Sequence, residues 1–163
     1  MPRLIKNGAI VDDPWQLFDS NALQDGVPDD GDIIVPLEYW LANRDALLAR
    51  HGQSGVCLQP GEEPEALADD LDKLPLVAIH FPAFKDGRGY SYARELRTRY
   101  RYEGEIRAVG DVLRDQLFYM QRVGFNAFAV RADRDIEDAL HGLSDFSVTY
   151  QGDVNDPRPI YRR

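Results

Sequence analysis

The segment from Phe81 to Ser91, FPAFKDGRGYS, is the best candidate for a loop that binds an anion. Its two glycines let the backbone bend and approach a ligand closely, and a lysine and an arginine add positive charge. Ser91 is expected to cap a following helix, whose free N–H groups attract anions. The Gly-Lys-Ser/Thr sequence of a Walker loop is missing. The plainer interpretation is a tight loop in which Arg88 pairs with Asp86 or Asp111.

A second segment of interest is Arg107–Asp111, RAVGD, at the end of the next predicted strand. Arg107 needs a partner there, because a buried charge without one is costly, and Asp111, Asp115 or a bound anion could serve. Asp111 is also expected to be the N-cap of the helix that follows. Loops that follow parallel strands lie at one edge of a sheet. The two segments together predict an anion site formed by Lys85, Arg88, Gly89, Ser91, Arg107 and Asp111.

Histidine and cysteine offer few options for metal or nucleophilic chemistry. His80 ends a predicted strand, where its imidazole could be a general base or a hydrogen-bonded structural side chain. The three histidines are far apart and form no His-x-x-x-His pair. Cys57, the single cysteine, is expected to be a buried thiol within a strand, and it excludes an intramolecular disulfide and a thiolate cluster. The sequence predicts no metal site and no bound cofactor.

Tyrosine and arginine are concentrated between Tyr90 and Tyr102, YSYARELRTRYRY, which contains four of each. These residue types are enriched in the hot spots of protein interfaces. The mixture suits a protein surface better than a small-molecule pocket. We expect an interface here, formed by Tyr90, Arg94, Arg97 and Arg101.

Short apolar runs that alternate with helical patterns are expected to position these residues. The opening LIKNGAIV has Asn-Gly between apolar runs, which predicts a type I′ β-hairpin. An acidic loop at 21–32 follows. The predicted strands are Ile33–Val35, Gly55–Leu58, Leu76–Phe81, Glu105–Val109 and Phe125–Val130. The predicted helices are Leu37–His51, Pro64–Leu74, Ser91–Tyr100, Asp111–Val123 and Ile136–Leu143.

This alternation predicts an α/β fold with a mostly parallel sheet of about five βα units, preceded by the N-terminal hairpin. An open sheet and a partial β/α barrel both fit, and the length of 163 residues favours an open or incomplete sheet. We expect one domain over 1–163, with a βα core at 33–150 and an extended tail at 151–163.

Composition and charge exclude several classes of protein and of partner. The chain is 44% hydrophobic and 29% charged, which allows a real core and excludes global disorder. Its net charge of −9 argues against non-specific nucleic-acid binding, which needs a basic surface. The first twenty residues contain no apolar run of signal-peptide length, and no stretch reaches the length of a membrane span. We therefore expect a cytoplasmic location.

Several long motifs resemble one protein family. FPAFKDGRGYSYARELR and EIRAVGDVLRDQLFYMQRVGFNAF, with the earlier IIVPLEYWLANRDALLA and LIKNGAIVDD, are similar to the DUF934 family of small bacterial proteins. The genes of that family commonly neighbour those of assimilatory sulfite reductase, and its members are often labelled as oxidoreductases of sulfite reduction. The label rests on gene neighbourhood, because the motifs include no dinucleotide-binding glycine turn, no cluster ligands and no haem motif.

Three functions remain open at this point. The resemblance implies an accessory protein of sulfate assimilation that acts at the sulfite reduction step, through binding of sulfite reductase, of another sulfur-assimilation protein or of a small oxyanion. The second possible function is that of an enzyme of the same pathway, with its active site in the loops at the carboxyl ends of the strands. A sensor module for a small anion or a nucleotide is the third.

Overall fold

An eight-stranded sheet flanked by four α-helices organises the chain. The computed structural model describes residues 3–82, 87–130 and 134–144. The strands are β1 (Arg3–Lys6), β2 (Ala9–Asp12), β3 (Trp15–Leu17), β4 (Asp32–Pro36), β5 (Ser54–Leu58), β6 (Leu76–Phe81), β7 (Glu105–Gly110) and β8 (Ala127–Phe128). The helices are α1 (Leu37–Leu48), α2 (Arg88–Thr98), α3 (Arg114–Val123) and α4 (Ile136–His141), with short 3-10 helices at Pro64–Leu67, Leu71–Lys73 and Gly142–Ser144.

The sheet has the order β2-β1-β8-β7-β6-β5-β4-β3. All neighbours from β3 to β8 are parallel, so the five predicted runs form a continuous parallel sheet as expected. The predicted hairpin is present, with Asn7 and Gly8 both at positive φ. It also joins the sheet, because β1 pairs antiparallel with β8, and the sheet is therefore mixed. Strand β3, at the other edge, was not predicted.

The chain path shows that this sheet curls into a half-barrel. Strands β2 and β3 lie at opposite edges of the sheet, yet only Asp13 and Pro14 separate them in the sequence. Three peptide units span at most roughly 11 Å, so the two edges approach each other at this point. Of the two architectures that the sequence allowed, an open sheet and a partial barrel, the structure has the partial barrel.

Each face of the sheet has its own core. The outer face packs against the helices and buries most of the apolar side chains, among them Trp40, Phe81 and Phe125. The inner face of the curl has a smaller cluster, formed by Ile34, Cys57, Leu76, Ala78 and Val109 with Trp15 and Ala129 packed against it. Strands buried on both faces explain the nearly continuous apolar runs in the sequence.

One of the five predicted βα units is wrong. The segment predicted as a helix over Pro64–Leu74 forms two 3-10 helices, with hydrogen bonds between residues three apart. Its three periodic leucines are buried as expected. Asp70, between the two turns, accepts from the Trp40 indole N–H at 3.0 Å and pairs with Arg44 at 2.9 Å. The break in the helix places this buried carboxylate against α1.

The remaining predictions differ mainly at element ends. The acidic loop at 21–32 is largely irregular, and the Arg50 guanidinium donates hydrogen bonds to backbone carbonyls of Pro28, Asp30 and Gly31. The predicted tail at 151–163 lies outside the described residues. In the part of the chain that the structure describes, no helix has both the length and the apolar character needed to cross a bilayer.

Candidate functional site

The carboxyl edge of β5, β6 and β7 brings His80 against two neighbouring loops. His80 Nδ1 lies 2.8 Å from Gln59 Oε1, which directs the Nδ1 proton towards the amide oxygen and leaves Nε2 as the acceptor nitrogen. Partial burial lowers the pKa of His80 below its ordinary value of 6.5, so the imidazole is neutral at pH 7. A neutral imidazole with an available Nε2 can accept a proton or a hydrogen bond.

Gly110 lies directly against this histidine. Its φ is +94°, and a Cβ there would lie 2.5 Å from the Phe81 carbonyl oxygen and 2.9 Å from His80 Nε2. Asp111 N donates to the same Phe81 oxygen at 2.7 Å. Glycine is therefore required at 110 for two reasons, the backbone conformation and the close approach of β6.

The described residues of the predicted anion loop differ from the expectation. Helix α2 begins at Arg88 with Gly87 as its N-cap, so the prediction that Ser91 caps the helix is wrong; Ser91 is exposed within the first turn. Gly89 has helical φ, and it is needed because a Cβ would lie 2.6 Å from the Phe81 ring. Arg88 is exposed and extends towards Gly61, and Lys85 lies outside the described residues.

Arg107 does not join Arg88 at the carboxyl edge. It lies within β7 on the inner face, with 3% of its side chain exposed. Its Nε donates to Glu105 Oε2 at 2.8 Å and its Nη1 to Asp13 Oδ2 at 2.9 Å, while Lys6 pairs with the other oxygen of Glu105 at 3.0 Å. The prediction that Asp111 or Asp115 pairs with Arg107 is therefore wrong. Arg107 already has two carboxylate counter-ions, so it is placed to hold the sheet together.

Asp111 also differs from its predicted role. Helix α3 begins at Arg114 with Leu113 as N-cap, so Asp111 lies before the helix and does not cap it. No contact in the described part of the chain gathers Arg88, Ser91 and Arg107 into one group. Anion binding at the predicted set stays a prediction.

The four predicted interface residues separate into two locations. Tyr90 and Arg94 lie one turn apart on α2, and the Tyr90 ring stacks edge-on against Tyr119 of α3 at a centroid distance of 5.0 Å. Tyr119 is 49% exposed, and Arg94 is exposed too. We call Tyr90, Arg94 and Tyr119 the α2/α3 surface. Sequence reasoning missed Tyr119 as part of it, because only the packing of two helices brings it beside Tyr90.

Arg97 and Arg101 lie instead at the opposite, amino edge of the parallel strands. They line a cavity of about 600 Å³ between the β1–β2 turn, the α2–β7 connection and the α3–β8 connection. Arg97 is half-buried and donates to the carbonyl oxygens of Gly124, Tyr102 and Gly104 at 2.8–2.9 Å. Arg101 is exposed, with φ +54°.

Cysteine and possible metal ligands add little chemistry. Cys57 is buried as predicted, and burial together with the nearby Glu62 charge raises the pKa of its thiol to about 12. It is a packing group of the inner face and not a nucleophile. Within the described ranges, the one grouping with metal-ligand geometry is Asp29, Asp30 and His51, all exposed, in which His51 pairs with Asp29.

The curled mixed sheet and its polar edges define an α/β half-barrel protein. The model of a family described as "Bacterial protein of unknown function (DUF934)" matches residues 55–161, more than half of the chain. The chain therefore belongs to this family, which confirms the resemblance drawn from its motifs. Among curated proteins, none matches this chain.

Proposed function

We propose that this protein is an accessory protein of sulfate assimilation that acts at the sulfite reduction step by binding another protein. The gene neighbourhood implied by the family resemblance supports the step. The α2/α3 surface supports the mode of action. Sulfite reductase is the first partner to test, because it catalyses that step.

The observation that carries the proposal is the exposed Tyr119 ring, held in place by a stack of aromatic side chains. Its partner Tyr90 packs on Phe81 at 5.2 Å, and Phe81 packs on Phe125 at 5.8 Å in the buried core. An aromatic side chain that is already ordered loses little entropy when a partner covers it. Tyrosine with a neighbouring arginine is the composition of interface hot spots.

The phenol of Tyr90 supports the same role. Burial, with a smaller contribution from Tyr119, raises its pKa above the ordinary value of 10.0. The Tyr90 ring therefore stays uncharged over the physiological range, and Arg94 provides the charge of the α2/α3 surface. That combination favours a partner surface with an apolar depression beside a carboxylate.

A binding measurement with purified proteins tests the proposal. Sulfite reductase should bind the immobilised chain, and the double variant Tyr119→Ala with Arg94→Ala should bind at least about tenfold more weakly, because each hot-spot side chain is worth more than about 1 kcal/mol. Leu41→Ala is the matched control, since Leu41 is 46% exposed on α1, away from α2 and α3. Equal binding by the double variant, or no binding by the natural chain, would contradict the proposal.

A second candidate is an enzyme of the same pathway, and His80 favours it. Its neutral imidazole is oriented by Gln59 and lies at the carboxyl edge, where α/β enzymes place their catalytic groups. Turnover by the pure protein, or a cofactor absorbance that co-purifies with it, would favour this alternative. Loss of that turnover in His80→Gln would assign the base.

A further inference from the structure

We propose that the cavity at the amino edge of the sheet binds a small anion of the carboxylate or oxoanion class between Arg97 and Arg101. This site is distinct from the α2/α3 surface and does not depend on the role in sulfite reduction. It also lies at the opposite edge from the anion loop predicted from the sequence.

The cavity has the volume of a small-molecule site. Its volume of about 600 Å³ falls within the range of roughly 300–1,000 Å³ that is usual for ligand pockets. Three chain segments that are distant in sequence converge on it, and buried aromatic rings form its base. The lining residues are Asn7, Gly8, Arg97, Arg101, Tyr102, Glu103, Gln121, Phe125, Asn126 and Phe128.

Arg97 is a preorganised anion donor. Its hydrogen bonds to the carbonyls of Gly124, Tyr102 and Gly104 use Nε and Nη1, and they fix the plane of the guanidinium. No residue of the described ranges accepts a hydrogen bond from Nη2, which leaves its two N–H groups for a ligand. A guanidinium fixed in this way binds an anion without first losing side-chain freedom.

Arg101 is held in a strained conformation at the same cavity. Its φ of +54° is in the left-handed region, where a non-glycine residue costs about 1–2 kcal/mol. Asn7 is the other described non-glycine residue with positive φ, and the type I′ turn explains it. The turn that ends α2 accounts for the φ of Arg101, since Tyr102 N donates to the Leu96 carbonyl oxygen at 2.8 Å across it. Glycine would be relaxed at this position, so the strain is the cost of an arginine there.

The charge of the lining favours an anion. Arg97 and Arg101 carry two positive charges, and Glu103 is the one acidic residue among the lining residues. Within the described residues, Arg101 makes no hydrogen bond or ion pair, so its charge is available to a ligand. A local excess of positive charge is notable in a chain whose net charge is −9. The guanidinium groups of Arg97, in the last turn of α2, and of Arg101, in the α2–β7 connection, could bind an oxoanion or a carboxylate from two sides.

A titration followed by NMR tests this site. The ¹⁵N-labelled chain is titrated with sodium sulfate, sodium phosphate and sodium acetate, each against sodium chloride at equal ionic strength. We expect saturable shifts of the Asn7, Gly8, Arg101 and Tyr102 amides with at least one of the three anions, and the three arms distinguish oxoanions from carboxylates. Shifts that follow ionic strength alone in all three arms would overturn the proposal.

Variants separate binding from folding. The Arg101→Gly variant should bind the anion about tenfold or more weakly, because a charge-assisted hydrogen bond is lost. Its melting temperature should rise, because glycine relieves the backbone strain at this position. Arg99→Ala is the matched control: this exposed arginine stacks on Tyr100 at 5.3 Å and is not part of the lining. Unchanged binding in Arg101→Gly, or its loss in Arg88→Ala instead, would overturn the assignment.

Discussion

The two ends of the parallel strands hold their polar side chains in different ways. At the amino edge, Arg97 is fixed by three backbone carbonyls beside an open cavity. At the carboxyl edge, a neutral His80 is oriented by Gln59 and packed against Gly110. Between the two edges, Arg107 is neutralised by Glu105 and Asp13 on the inner face. Arginines that look equivalent in the sequence are thus a counter-ion in one place and a ligand donor in another.

The largest effect is expected from Arg107→Met. This change removes the cation shared by the buried Glu105 and the partly buried Asp13, so we expect the free energy of unfolding to fall by about 3–5 kcal/mol. Urea denaturation measures it. Arg101→Met is the control at the cavity and should change stability by less than about 0.5 kcal/mol. Similar losses in the two variants would show that Arg107 is no more structural than Arg101.

Gly110→Ala should have the next largest effect. The left-handed φ and the approach of the Phe81 carbonyl together predict a loss of about 2–4 kcal/mol. Gly26→Ala is a matched control, because Gly26 has φ +83° but nothing within 4 Å of its Cβ position. It should lose only about 1 kcal/mol. If Gly110→Ala and Gly26→Ala lost equal stability, the close approach of the Phe81 carbonyl oxygen in β6 would contribute nothing to the effect.

The pH dependence of stability tests the environment of His80. Its folded-state pKa is lowered, so the contribution of the neutral ring is fully present above the unfolded value of 6.5 and is lost as the pH falls below it. The natural chain should therefore lose stability below about pH 6.5 relative to His80→Gln, as measured by thermal unfolding between pH 5 and 8. An imidazole NMR titration midpoint at or above 6.5 would contradict the lowered pKa.

Removal of the exposed side chains should have the smallest effect on folding. Arg94→Ala should change the free energy of unfolding by less than about 0.5 kcal/mol, because exposed charges contribute little to stability. Chemical denaturation of this variant and of the natural chain provides the comparison. A larger loss would mean that Arg94 has a structural role, and its effect on partner binding would then be uninformative.

The sequence predicted the parallel strands well because their signal is local. The boundaries of β6, Leu76–Phe81, agree with the prediction, since a continuous apolar run marks a strand buried on both faces. The sequence pattern did not indicate strand β3, because this strand has only three residues and follows Pro14 directly. The pairing of its edge with β4 depends on the curl of the whole sheet.

The chemistry of the site was harder to predict because its contacts are distant in the sequence. Asp13 and Arg107 are 94 positions apart, and no local pattern links them. Arg97 lies on a helix whose composition suggests an exposed face, yet its acceptors are carbonyls in the connections that precede β7 and β8. Only the folded backbone places those carbonyls in reach.

Growth on defined sulfur sources tests the proposed role at sulfite reduction most directly. Cells that lack the gene are grown with sulfate, sulfite or sulfide as the sole sulfur source. We expect poor growth on sulfate and on sulfite, normal growth on sulfide, and rescue by the natural gene but not by Tyr119→Ala with Arg94→Ala. Normal growth of the deletion strain on sulfite, or failure on sulfide, would contradict a role at this step.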